Sequence, residues 1–223
     1  MYKNILVIAP HADDEILGCG GIISKFSRKK VNIYVAIMTN ASKGDSKLFS
    51  KSKIKIIRNE CLRANKKLGV KKVFFFNFPA PKLDQYPIYK ISKKINDLIN
   101  KVKCETVFLP YGNDIHKDHQ CIYQASLVAC RPINNNLVKN ILCYETLSET
   151  EWGLDSFHPN YYEVLSNVDI NNKISAFKEY KSQIKDNFHP RSKNGIKNLA
   201  KYRGNNISQE NAEAFKIIRI ISK

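Results

Sequence analysis

Hydrophobic positions along the chain fall into two kinds of segment that alternate. Asn4 to Ala9 (NILVIA) is a short unbroken apolar run, the pattern of a strand buried on both faces. From about Asp14 to Lys29, apolar residues recur at Ile16, Leu17, Ile23 and Phe26, close to helical spacing. Val31 to Met38 predicts a second strand and Lys51 to Leu68 a helix closed by Gly69. Val73 to Phe78 predicts a third strand. Tyr89 to Val102, with Ile91, Ile95, Leu98, Ile99 and Val102 on one face, predicts an amphipathic helix. Thr106 to Pro110 and Asn140 to Tyr144 read as strands flanking a helix from His119 to Cys130, which ends before Pro132. After Trp152 the pattern loosens: a strand near Tyr162 to Val168, a helix from about Asn171 to Ile184 and further helices after Pro190 are expected. Strand and helix in alternation imply an α/β fold with a mostly parallel sheet covered on both faces. No linker or repeat divides the 223 residues, so residues 1–223 read as a single domain.

Charge changes this picture little. Lys and Arg total 37 against 20 Asp and Glu, a net charge of +17, but the lysines are spread along the whole chain. A diffuse excess mainly aids solubility. It stays compatible with an anionic substrate, whereas no nucleic-acid-binding motif stands out and no nucleic-acid partner is expected. The six cysteines are scattered with no C-x-x-C pair, as small core residues in a reducing compartment. The run Ile5 to Pro10 is too short for a signal core or a membrane span, so a cytoplasmic setting is expected.

The chemistry gathers at two strand ends. The first strand runs into Pro10-His11-Ala12-Asp13-Asp14-Glu15 and the fourth into Tyr111-Gly112-Asn113-Asp114-Ile115-His116-Lys117-Asp118-His119. Three of the five histidines lie in these two segments. In open parallel sheets, ligands bind at the carboxyl ends of strands where the strand order reverses. If that reversal falls between the first and fourth strands, both segments face one crevice. The plain alternatives are an acidic residue capping the first helix and a polar loop with solvated histidines. Helix capping accounts for one carboxylate but not for three consecutive acids beside a histidine. Two His and one Asp make a catalytic zinc pattern with a position left for water, although Fe2+ or another divalent ion also suits such donors. Asp13, beside the ion, would handle protons. His116, if protonated, would stabilise charge on a carbonyl oxygen, and Asp118 would orient that imidazole.

These residues resemble the LmbE/PIG-L family of sugar N-deacetylases. The family motif A-H-P-D-D-E stands here as Pro10-His11-Ala12-Asp13-Asp14-Glu15, and H-x-D-H as His116-Lys117-Asp118-His119. Ala12 replaces the usual proline, and a proline precedes the histidine instead. The resemblance implies a Rossmann-like three-layer sandwich and hydrolysis of the N-acetyl group of an amino sugar. It makes His11, Asp14 and His119 the Zn2+ ligands, Asp13 the general base and His116 the residue that stabilises the tetrahedral intermediate. Arg58 resembles a sugar-contacting arginine of the family. His189 and Arg191, together with Arg203-Gly204, resemble features of relatives encoded with surface-polysaccharide or unusual-sugar pathways, where a His and an Arg would close over a phosphate or acidic sugar. The partner so implied is a small amino-sugar substrate, and a homo-oligomer is compatible with it. The rival readings are a metallohydrolase for another amide or a phosphoester, and a nucleotide-binding Rossmann module. The second would need G-x-G-x-x-G straight after the first strand. Gly18, Gly20 and Gly21 come too late for that and are expected to let the first helix pack closely.

Overall fold

A computed structural model describes residues 3–133 and 138–222 of the chain. Seven strands form one sheet in the order β3-β2-β1-β4-β5-β7-β6. β1 (Asn4–Ala9) lies at its centre, paired in parallel with β2 (Asn32–Asn40) and with β4 (Thr106–Pro110). β3 (Lys72–Pro79) extends the sheet beyond β2, and β5 (Asn140–Tyr144) extends it beyond β4, all in parallel. Side chains of β1 alternate between two cores, as a strand covered on both faces must. Ile5, Val7 and Ala9 pack with α1 (Asp14–Arg28) and α2 (Lys51–Lys67). Leu6 and Ile8 pack with α3 (Ile88–Val102) and α4 (Lys117–Ala129). Helices thus leave the two sides of β1 by opposite faces. The strand order reverses between β1 and β4, and their carboxyl ends part there.

The C-terminal third departs from the pattern reading. α6 (Lys193–Asn205) is followed by a strand, β7 (Ala212–Ile220), where further helices were expected. β7 runs antiparallel between β5 and β6 (Tyr161–Val164). Its start, Ala-Glu-Ala-Phe, gives no hydrophobic alternation because Glu213 is itself buried. Glu213 accepts from the Gly21 and Ile22 amides (both 2.7 Å) and pairs with Lys173 Nζ (2.7 Å). α5 spans Asn167–Phe177, earlier than the expected Asn171 to Ile184. Ser166 caps it by accepting from the Asp169 amide, while the Asp169 carboxylate accepts from the Ser166 amide.

The glycines of α1 are there for close approach. A β-carbon on Gly18 would stand 2.2 Å from the ring of Tyr144, and one on Gly21 would stand 2.3 Å from Leu165. Tyr144 is fully buried at the end of β5, and its hydroxyl donates to Ile8 O (2.9 Å), one residue before the end of β1. Gly18→Ala is therefore expected to lower stability by about 1–3 kcal/mol, the ordinary range for overpacking a core. A thermal melt checks this, and an unchanged midpoint would show that the helix can simply shift.

Candidate metal centre and active site

The chain leaves β1 through a turn held from β2. The Thr39 amide and hydroxyl both donate to Pro10 O (3.1 and 2.8 Å). Asp13, at the N-cap of α1, has φ 119° and ψ −27°, a conformation that costs a side-chain-bearing residue on the order of 1–3 kcal/mol. Its side chain makes no cap hydrogen bond, so helix capping does not account for it. Its amide donates instead to Glu15 Oε2 (2.9 Å). Glu15 is wholly buried and also accepts from Asn65 Nδ2 (2.8 Å) and the Tyr180 hydroxyl. Glu15 thus fastens the strained turn to α2 and to the segment after α5.

Asp14 Oδ2 lies 3.4 Å from His11 Nδ1 and 3.3 Å from His119 Nε2, and those two nitrogens are 3.4 Å apart. Tetrahedral ligands with bonds of about 2.0–2.1 Å stand about 3.3–3.4 Å from one another. The triangle is therefore the right size for one divalent cation with a fourth position free. The outer atoms agree. His11 Nε2 bonds Asp118 Oδ2 (3.0 Å), and His119 Nδ1 lies 3.1 Å from Asp114 Oδ2. His11 thus has a carboxylate bonded to its second nitrogen, the usual support for a metal-binding histidine, while the second nitrogen of His119 faces Asp114 at ion-pair distance without a hydrogen bond. Asp114 is held in turn by the Thr150 hydroxyl (2.8 Å) and the His116 amide (2.9 Å), and Asp118 by the Leu83 amide (3.2 Å). Asp14 Oδ1, buried, has no hydrogen-bond partner.

The geometry revises two expectations for the second motif. The Asp118 carboxylate orients His11 and not His116; it meets His116 only through its amide, which donates to His116 Nδ1 (3.1 Å). Accepting at Nδ1, a neutral His116 carries its proton on Nε2. Burial and the adjacent His11 and His119 push its pKa down to about 4, which disfavours the protonated form on which its sequence-based role is conditional. Its ring lies 4.6 Å from that of His11 and stacks on that of His119 at 5.1 Å.

Negative charge dominates the centre. Burial disfavours a charged His11, but Asp118 and Asp14 outweigh it and hold the pKa near 9. Burial likewise opposes charge on His119, yet Asp14 and Asp114 hold its pKa near 10. Burial alone would raise Asp14, but the two imidazoles bring it well below the usual carboxylate range. Asp13 is pushed up to about 8, by burial first, with Arg191 opposing.

The substrate-binding expectations divide. Arg191 lines the same cavity of about 240 Å3 as His11, Asp13 and His116, but its donors are engaged by protein groups. They reach Asp13 Oδ2 (3.1 Å), Ser148 Oγ (2.7 Å) and Glu149 Oε1 (2.9 Å). Arg191 thus links Asp13 to the segment that follows β5. Arg58 also lines the cavity; its Nη2 donates to Phe76 O and Asn77 Oδ1, and its guanidinium lies over the Phe75 ring. His189 is exposed, does not line the cavity, and accepts from the Arg191 amide (3.0 Å). Arg203 pairs with Glu145 outside the cavity. The pattern reading gave Asp114 and Glu149 no role. Asp114 had one available signal, since a metal-binding histidine needs a carboxylate behind it and Asp114 shares a loop with two histidines. Glu149 had none.

An open, mostly parallel sheet with a His-Asp-His cluster at its switch point defines a Rossmann-like α/β architecture with a candidate metal site. Residues 6–130 match the family described as PIG-L: GlcNAc-PI de-N-acetylase. The chain belongs to this LmbE-like family. It is 31% identical to the "Uncharacterized deacetylase YaiS" of Escherichia coli (strain K12) over 185 residues, 81% of this chain and 91% of that protein. It is 24% identical to the "Diacetylchitobiose deacetylase" of Thermococcus kodakarensis, over 97% of this chain and 83% of that one. The solved N,N'-diacetylchitobiose deacetylase from Pyrococcus horikoshii shares the fold at a TM-score of 0.79 and 22% identity, covering 98% and 84% of the two chains.

The surrounding carboxylates hold both imidazoles above their ordinary pKa, so a cation at the centre competes with protons there. Divalent-metal affinity is expected to rise with pH up to about 9–10 and to fall as pH drops, with net proton release on binding. Calorimetric titration of metal-free protein in buffers of different ionisation enthalpy measures this. A buffer-independent heat would contradict the assignment of both imidazoles to the centre.

Proposed function

We propose that the protein is a metal-dependent N-deacetylase that hydrolyses the N-acetyl group of an amino sugar, with Zn2+ held by His11, Asp14 and His119. One observation carries the reading: three ligand atoms stand at tetrahedral spacing, and one of their residues, His11, lines a cavity together with the carboxylate-bearing Asp13 and with His116. When bound there, a divalent cation supplies Lewis-acid charge to an amide carbonyl and to a water molecule. Arg191 engages Asp13 Oδ2, which leaves Oδ1 to take the proton of the attacking water. The water oxygen joins the acyl carbon, the C–N bond breaks, and Asp13 passes its proton to the departing amine, so that acetate and a free amino sugar result. His116, as the neutral Nε2–H tautomer, donates to the carbonyl oxygen as negative charge develops on it. The names of the similar proteins support this reaction class.

Acetate release from a panel of N-acetylated sugars, with and without chelator and with Zn2+ restored, tests the proposal; activity indifferent to chelation would end it. Asp13→Asn is expected to keep about one metal ion per chain and to lose most turnover, whereas His119→Ala loses the metal itself. Equal metal loss in both would refute the division of roles. His116→Ala is expected to lower kcat by roughly a hundredfold with metal retained, the scale of one lost donor to a developing oxyanion. Steady-state rates beside metal analysis separate these outcomes.

A further inference from the structure

A second cleft adjoins the cavity and shares Ile54 and Arg58 with it. Its walls include Lys43, Lys51 and Lys55 together with Arg58, and neither Asp nor Glu. All three lysines are exposed, and the ion pairs among the described residues are made elsewhere. On the same helix, by contrast, Arg63 and Lys67 both pair with Glu179. At the opposite end of the sheet, Lys71, Lys72 and Lys101 lie over the rings of Tyr34 and Phe74. The lysines of the cleft have neither kind of contact. Lys51 and Lys53 also sit in the first turn of α2, which holds no acid, so cations stand at the positive end of a 17-residue helix. That placement is electrostatically unfavourable unless an anion lies there. Ser42 and Asn59 add hydroxyl and amide groups to the same walls.

We propose that this cleft is an anion subsite and that the substrate is an N-acetylated amino sugar bearing a phosphate or diphosphate. The acetamido group lies at the metal centre, and the phosphate lies against Lys43, Lys51 and Lys55. The inference rests on the deacetylase reading for the position of the sugar. Charge on the substrate, and not a base or lipid attached to it, is what the cleft selects.

The test compares kcat/KM for acetate release from a neutral methyl glycoside of N-acetylglucosamine, its 1-phosphate and a nucleotide-diphosphate form, using the metal-loaded full chain. The phosphorylated sugars are expected to be favoured by about tenfold, a size in keeping with two or three exposed ion pairs. The advantage should shrink as salt is raised. The 1-phosphate and nucleotide arms show whether phosphate alone suffices. Lys51→Glu/Lys55→Glu is expected to bring the ratio of phosphorylated to neutral substrate towards one, whereas Lys66→Glu, the same charge change at the far end of α2, leaves the ratio as it was. Lys51→Gln and Lys55→Gln singly give smaller steps if the double variant folds poorly. Equal use of the neutral glycoside, or a preference unmoved by the double exchange, overturns the subsite and leaves the deacetylase reading intact. If no sugar releases acetate, calorimetric binding of the sugar 1-phosphate decides. Binding lost in Lys51→Glu/Lys55→Glu keeps the subsite and sinks the deacetylase reading; no binding to the parent protein sinks both.

Discussion

A cluster of buried carboxyl groups where β1 and β4 part is the constraint around which the rest of the molecule is arranged. Asp13, Asp14, Glu15, Asp114 and Asp118 are all buried, each no more than 2% exposed. An ionised carboxylate out of water is costly unless cations or donors face it. Each of the five has such partners. Glu15 has Asn65, Tyr180 and a backbone amide; Asp114 has Thr150, an amide and His119; Asp118 has Leu83 and His11; Asp13 has Arg191. Asp14 faces two imidazoles through Oδ2 and keeps Oδ1 without a hydrogen-bond partner.

That arrangement works because rigid elements surround it. The strained backbone at Asp13 survives because Glu15 ties its amide to the core and Thr39 of β2 holds the Pro10 carbonyl at the start of the turn. α1 comes close enough to do this because glycine leaves room for Tyr144, whose hydroxyl reaches Ile8 O at the end of the same strand. Local strain at the site is thus balanced by packing beneath it.

The C-terminal third completes the centre from outside the two motifs. The segment containing Ser148, Glu149 and Thr150 follows β5, and Arg191 arrives from beyond α5; together they hold Asp13 and Asp114. None of the three candidate ligand atoms comes from this part, but the side-chain contacts that hold Asp13 do. Arg58 has a comparable structural employment, bound to the end of β3 while it lines both the cavity beside His11 and the lysine-walled cleft.

Much of this was legible in the chain itself, and the division follows physical range. Short-range order determines apolar periodicity, so the central strands, the helices between them and the turn after Ala9 could be read directly. The charged residues that follow β1 and β4 marked the site because few other reasons exist to put His and Asp behind a buried strand. The antiparallel β7 could not be read, since Glu213 is buried only by virtue of Lys173 and two distant amides. Nor could the partner of Asp118, which stands two residues from His116 in sequence yet turns to His11 across the crevice. Local sequence determined which groups are present at the centre. Tertiary structure alone decided which carboxylate faces which imidazole and which arginine is spent on Asp13, because those pairings depend on distances between segments about a hundred or more residues apart.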